Sequence, residues 1–270
     1  MIHAVALGEQ QAPLIIFLHG FPQFWYSWKD QMLKFSKRGY RCVAIDMRGY
    51  GDSEKPAGVK NYALSILAAD VEGVIQALGY KKAAAVVAHD WGAMVAYGFA
   101  AKYPNSLEKL IILNGPHPQV FKSRILTYPQ VLHSSYVFFF HLPFLPVLAF
   151  WQTDYAIMDR VFAGGKGRLA VTPEDLELYK YAISRPGALT SAINYYRSVG
   201  TSSLSWMSKI TTPTLLLWGD KDRFLSPSSN SGLEKRVETL TVKIIEGCSH
   251  WICSEKPDEV NQHIVEFLLA

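Results

Sequence analysis

The sequence predicts an α/β fold, a mostly parallel sheet with helices on both faces and an inserted helical cap. Three observations carry that expectation. Short β-like apolar runs alternate with helical patterns near both ends of the chain. The alternation stops between about Pro116 and Ile210, where the sequence is helical and aromatic and offers no convincing central strand. The chain has 270 residues, 49% of them hydrophobic and 13% aromatic, which is enough for one large core or one core carrying an insertion.

Taken in order, the first strand is expected at His3–Leu7, followed by the apolar runs Leu14–Leu18 and Arg41–Ile45. Ser65 is the expected cap of a helix in which Leu67, Val71, Val74, Ile75 and Leu78 follow the 3.6-residue period until Gly79 stops it. Ala83–Ala88 leads into a helix rich in Ala and Gly (Ala93, Ala96, Gly98, Ala100, Ala101), slim enough to lie close on the sheet. Lys109–Leu113, Pro213–Trp218 and Leu240–Ile245 complete the strands, and a final helix opens at Pro257 and buries Val260, Ile264, Phe267 and Leu268. The sheet-forming core is thus expected from residues 1–116 and 210–270, split by a helical cap or lid at 117–209. Gly164-Gly165-Lys166-Gly167 lacks the strand that precedes a phosphate loop and reads as a cap loop.

Composition removes several classes of function. The formal charge of +4 is spread over 27 basic and 23 acidic residues without a dense Lys/Arg run, so no nucleic-acid partner is indicated. Cys42, Cys248 and Cys253 are too few and too scattered for a disulfide framework or a four-ligand zinc site, and no metal cluster or dinucleotide fingerprint is present. The N-terminus has no basic region and no long apolar stretch, so it is not a signal peptide. From Ile125 to Thr153 there is no Asp, Glu, Lys or Arg, but Pro129, Pro143 and Pro146 break any continuous helix. That segment reads as the apolar lining of a substrate pocket rather than a membrane span, with shallow contact at a membrane surface as the lesser alternative.

In open α/β sheets, ligands sit beyond the carboxyl ends of the strands. That rule gathers four turns on one sheet edge: His19-Gly20-Phe21-Pro22, Ala88-His89-Asp90-Trp91-Gly92, Gly219-Asp220-Lys221-Asp222 and Gly247-Cys248-Ser249-His250-Trp251. The second has the small-X-nucleophile-X-small form of a nucleophile elbow, with Asp90 at its centre. Taken alone, Asp90 is equally readable as a helix cap. An acid in the third turn and a histidine in the fourth give the order Asp90, Asp222, His250, which is the nucleophile–acid–histidine order of this architecture. Asp222 is preferred over Asp220 because it lies further out in the turn.

Together, the motifs His19-Gly20-Phe21-Pro22, Asp46-Met47-Arg48-Gly49-Tyr50-Gly51-Asp52-Ser53, His89-Asp90-Trp91-Gly92, Trp218-Gly219-Asp220-Lys221-Asp222 and Ser249-His250-Trp251 resemble the epoxide hydrolases of the α/β-hydrolase fold. The likeness runs nearly end to end, and in its cap the chain is most similar to the small abhydrolase-type members. The resemblance implies two cap tyrosines that hold the epoxide oxygen. Ser134-Ser135-Tyr136 and Asn194-Tyr195-Tyr196-Arg197 are similar to those two sites, so the role is carried to Tyr136 and Tyr196, with Tyr195 as the near miss. Without the resemblance, the tyrosines read as packing in an aromatic cap. Relatives usually begin with a further strand before His3–Leu7, and some carry a membrane anchor upstream. Either the chain is naturally short or its N-terminal end is missing, so a cytoplasmic location is an expectation that an upstream anchor would overturn.

The chemistry follows from the residues. An aspartate with a reference pKa near ~3.9 is already ionised at neutral pH. Its attack on an ester would give a mixed anhydride, whereas attack on a saturated carbon bearing a leaving group gives an ordinary ester. His250, oriented by Asp222, is then free to take a proton from the water that cleaves this ester. The backbone N–H groups of Phe21 and Trp91 are the expected oxyanion hole, worth roughly 3 kcal/mol per donor. A cis Phe21-Pro22 bond is expected to turn the Phe21 amide inward. Phe21, Pro22, Trp91 and Trp251 are the expected pocket walls.

The leaving group separates the readings. A ring-opened epoxide leaves as a basic alkoxide and needs a proton donor, which two phenols supply; a halide needs none. Haloalkane dehalogenases share the Asp elbow, but their usual Asn after His-Gly is Phe21 here, which has no side-chain donor. The expectation is therefore a cofactor-independent hydrolase of small apolar epoxides with water as co-substrate. A haloalkane dehalogenase and a non-catalytic ligand-binding member of the fold are the alternatives. His19 is expected to hold the oxyanion loop, His89 to fill space beside the elbow, the turn Asp46–Gly51 to be architectural and Cys248 to pack.

Overall fold

Seven strands form one sheet: β1 (Ala4–Leu7), β2 (Leu14–Leu18), β3 (Arg41–Ile45), β4 (Ala83–His89), β5 (Leu107–Leu113), β6 (Thr214–Gly219) and β7 (Leu240–Ile245). Their spatial order is β1-β3-β2-β4-β5-β6-β7; β1 runs antiparallel to β3, and every other pairing is parallel. The computed structural model describes residues 1–164, 168–201 and 203–270, so most of the Gly-rich stretch at Gly164–Gly167 lies outside the described residues.

The period-two alternation of strand side chains divides the core into two layers. Leu14, Ile16 and Leu18 of β2 face one way, toward α2 (Leu64–Ala77) and α3 (Trp91–Lys102). Ile15 and Phe17 face the other, where they join Met32 and Phe35 of α1 (Lys29–Ser36) and Val260 and Ile264 of α12 (Pro257–Leu269). Each such fully buried side chain contributes roughly 1.5–3 kcal/mol. Because β2 is covered on both faces, it reads as a continuous apolar run.

One expectation shifts locally. The helix assigned to a Ser65 cap begins one residue earlier, at Leu64, and its N-cap Ala63 makes no side-chain capping bond. Leu64 is buried against Gly98 of α3, whose Cβ position lies 3.2 Å from Leu64 Cγ, so packing rather than capping sets the start. Strand β7 has four exposed residues in its middle, including Val242 and Ile244, because it forms the sheet edge.

Between β5 and β6 the described residues form seven α-helices: α4 (Pro118–Arg124), α5 (Gln130–His133), α6 (Ser135–Phe140), α7 (Leu145–Gln152), α8 (Ile157–Val161), α9 (Pro173–Ser184) and α10 (Ala188–Thr201). Short α11 (Ile252–Glu255) follows β7. The uncharged stretch is thus cut into helices of 4, 6 and 8 residues, and no helix among the described residues is long and apolar enough to cross a membrane. Helix α10 is pinned to the sheet-forming part. Tyr195 Oη donates to the Arg48 carbonyl at 2.6 Å, and Tyr62 Oη donates to Ser191 Oγ at 2.7 Å. Lys29 pairs with Asp175 of α9 at 2.5 Å.

Candidate active site

Asp90 stands between β4 and α3 with φ 52 and ψ −118, a left-handed backbone that costs of order 1–3 kcal/mol in a non-glycine residue. The turn is crowded. A Cβ on Gly92 would lie 2.3 Å from the Leu18 carbonyl oxygen, and one on Gly20 would lie 2.3 Å from Asp90 Oδ1. Asp90 occupies the N-cap position of α3, yet its side chain makes no capping bond to that helix. Oδ1 instead accepts from the Phe21 N–H at 2.7 Å, and Oδ2 lies 3.5 Å from His250 Nε2. The Phe21-Pro22 peptide is cis, as expected from the sequence.

His250 Nδ1 donates to Asp222 Oδ2 at 2.7 Å. Both residues are buried. Asp222 Oδ1 accepts from the Phe224 and Leu225 N–H groups at 2.8 and 3.0 Å, so the turn after β6 fixes the carboxylate. Asp220 pairs with Lys221 at the surface instead, and it is Asp222 that meets the histidine. His89 does more than fill space, since its Nε2–H donates to the His250 carbonyl at 2.9 Å. His19 bridges the loop after β2, with Nδ1 3.0 Å from the Gly20 carbonyl and Nε2 accepting from the Met47 N–H at 2.9 Å.

The electrostatics follow from burial and pairing. Burial by itself raises the Asp90 carboxyl, but the hydrogen bond and charge of His250, with His89 and the Trp91 N–H, outweigh it and hold the group below its ordinary range. Burial pushes His250 down, yet Asp222 and then Asp90 overcome it and raise the imidazole to about 10. Burial, aided by the charge on His250, lowers His89 to about 4, so this ring is neutral.

Tyr136 and Tyr196 come down from α6 and α10 onto the same space, their ring centroids 5.9 Å apart. Burial, with Asp90 nearby, raises both phenols well above their usual value, so each carries its proton. Tyr195 is fully buried with its hydroxyl given to Arg48, which leaves Tyr196 as the residue facing the cavity. Asp90, Tyr136 and Tyr196 stand at the junction of two chambers of ≈ 450 and ≈ 170 Å³. Trp91, Met94, Phe121 and Val199 help line the larger. Phe21, Phe140, Phe150, His250 and Trp251 help line the smaller. Of the expected walls, Phe21, Trp91 and Trp251 are there; Pro22 is not among the lining residues of either chamber.

Two supporting residues escaped the sequence reading. Asn114 at the end of β5 donates to Asp222 Oδ2 at 2.7 Å, and Gln130 of α5 bonds both the Phe224 carbonyl and the Ser226 N–H. Asn114 occupies the end of a strand on the functional edge, which was the available signal; Gln130 carried none. Elsewhere the Asp46 turn is knit by side-chain acceptance from the Trp25 and Asp52 N–H groups. Cys248 Sγ donates to Glu255 Oε2 at 3.1 Å, and its thiol is pushed up by burial.

Residues 13–257 match the family model of the alpha/beta hydrolase fold. The chain is 41% identical over 273 residues to human "Epoxide hydrolase 4", covering 98% of this chain and 75% of that protein. It is also 41% identical over 269 residues to the "AB hydrolase superfamily protein YfhM" of Bacillus subtilis, covering 99% and 94%. Among solved structures, a mutant of an epoxide hydrolase from Bacillus megaterium superposes with a TM-score of 0.87 at 31% identity, covering 100% of this chain and 97% of that one.

Proposed function

Because the chain belongs to the α/β-hydrolase fold family, and within it to the epoxide hydrolases, we propose that it hydrolyses a small apolar epoxide to a vicinal diol through a covalent ester on Asp90. One observation carries the reading: an ionised carboxylate and two protonated phenols face one cavity, with a carboxylate-bound histidine behind the carboxylate. An epoxide requires a nucleophile on carbon and an acid on oxygen, and the cavity offers both.

In the first step Asp90 attacks an epoxide carbon, the carbon–oxygen bond breaks, and the departing alkoxide takes a proton from Tyr136 or Tyr196. The product is a hydroxyalkyl ester of Asp90. Esterification removes the Asp90 charge, one of the interactions that raises His250, so the imidazole gives up its proton and becomes a base. That proton restores the phenolate through solvent. His250 then takes a proton from water, the hydroxide attacks the Asp90 carbonyl carbon, and the oxyanion rests on the Phe21 and Trp91 N–H groups. Collapse frees the diol and regenerates the carboxylate. No step calls for a cofactor. The helices from α4 to α10 act as the cap in this reading, because they bring the phenols over the sheet edge. The two chambers receive the two substituents of the ring, the bulkier in the larger.

Single turnover in ¹⁸O-water tests the mechanism. The first diol should carry unlabelled oxygen from Asp90, and label should then build up in that carboxylate. Undiminished diol formation by Asp90→Ala would overturn the covalent route.

A further inference from the structure

The cap presents a surface that the reaction does not use. Ten of the nineteen large hydrophobic side chains exposed among the described residues fall between Leu126 and Trp151. Phe144 is 84% exposed, Tyr128 82% and Trp151 69%, in a stretch that has no Asp, Glu, Lys or Arg from Ile125 to Thr153. Scattered exposed apolar residues are ordinary, whereas a concentration of them marks an interaction surface. In α7 the exposed Leu145, Leu148 and Trp151 recur every three residues, while Pro146 and Phe150 are buried on the opposite side. Phe144, Leu148 and Trp151 share one shallow groove that Arg197 borders.

We propose that this face of the cap docks at the headgroup–acyl boundary of a lipid bilayer, with the larger chamber opening onto the lipid. Three features favour lipid over a protein partner. From Ile125 to Thr153 the surface carries no charged side chain with which a protein could fix its orientation. Exposed Tyr and Trp are the side chains that settle at membrane interfaces, where their rings are apolar and their polar tips stay wet. Cations stand at its margin: Lys122 lies beside Leu126 and Phe138, and Arg197 is held against the patch by the carbonyl oxygens of Phe140 and Leu142. Such a rim complements anionic headgroups. Lys122, Leu126 and Phe138 also line the larger chamber, which places its mouth on the patch. An apolar substrate dissolved in the bilayer then reaches Asp90 without crossing water. That last consequence rests on the epoxide hydrolase reading; the docking does not.

Flotation of the full chain with vesicles of phosphatidylcholine mixed with phosphatidylglycerol tests it. The protein should float with the vesicles, and the double variant Phe144→Ser/Trp151→Ser should lower the partition constant by about tenfold or more. Its turnover of a water-soluble epoxide should be unchanged, since neither residue lines the two chambers. Asp90→Ala should float like the parent protein, so a failure of the reaction reading shows in turnover and a failure of docking shows in flotation. The proposal is overturned by absence of flotation, by equal flotation of the double variant, or by a dimer in sedimentation that the same variant dissociates.

Discussion

The oxygen of Asp222 that accepts from His250 Nδ1 also accepts from Asn114 Nδ2, each at 2.7 Å. Asn114 Oδ1 in turn accepts from the Gly219 N–H at 3.1 Å, so one buried amide ties the ends of β5 and β6 together beneath the acid. Its φ of 38 lies in the left-handed region, which Asn tolerates better than most residues. Asn114→Ala leaves the Gly219 donor unpaired and Asp222 less firmly held. The expected cost is about 1–3 kcal/mol in denaturant unfolding. Under the proposed mechanism alkylation should keep its rate while ester hydrolysis slows, because only the second step would use the His250–Asp222 pair. Equal slowing of both steps would show that Asn114 serves the fold alone.

Removing the proposed base should stop the cycle halfway. In His250→Gln, Asp90 remains a carboxylate facing the phenols, so the first step proceeds and the ester accumulates. Steady-state turnover should fall by roughly 10²–10⁴-fold. Intact-protein mass spectrometry should find the chain heavier by the mass of one epoxide, and the adduct should disappear in Asp90→Ala.

The raised pKa of His250 also makes a stability prediction with a definite sign. Its folded-state value, about 10, lies above the 6.5 of an ordinary histidine, because Asp222 and Asp90 favour the charged ring more than burial disfavours it. The charged ring therefore stabilises the fold fully below about pH 6.5, and that contribution is lost as pH rises through about 10. Melting temperature should fall between neutral pH and pH 10 more steeply in the parent protein than in His250→Gln. Parallel curves would place the transition on other groups.

How far the sequence reveals this molecule depends on the range over which each signal acts. Leu14–Leu18 is legible to the residue, because a strand covered on both faces must be apolar throughout, and Cys42–Ile45 obeys the same rule after the half-buried Arg41. The start of α2 is not, since it is set by Leu64 meeting Gly98, a contact between segments far apart in the chain. The acid turn and the histidine turn can be read from strand ends, but Asn114 and Gln130 are ordinary polar residues until the fold brings them to Asp222 and its loop. Tyr196 over Tyr195 is likewise a matter of helix phase: adjacent residues point about 100° apart, and only one reaches the cavity.

The elbow should tolerate no side chain at Gly92. A methyl there meets the Leu18 and His19 carbonyl oxygens at 2.3 and 2.6 Å, and both belong to the backbone at the end of β2. Neither can rotate away, so Gly92→Ala should cost about 1–3 kcal/mol in unfolding free energy. It should also move Phe21 away from Asp90, so activity should fall further than stability accounts for. Activity recovering in step with the folded fraction would argue against that displacement.

The two phenols should affect ring opening and leave ester hydrolysis alone. Burial and the nearby Asp90 charge keep both protonated far into the alkaline range, so their deprotonation shapes no part of the pH profile near neutrality. Tyr136→Phe and Tyr196→Phe each remove a donor without changing the aromatic lining. Each should slow alkylation by about 10–10²-fold, and the double variant by more than either. On a bromoalkane, whose leaving anion needs no proton, the same substitutions should have little effect. Comparing the two substrates in pre-steady-state kinetics separates acid assistance from packing: loss confined to the epoxide assigns the phenols to the departing oxygen, while equal loss on both would reduce them to wall residues.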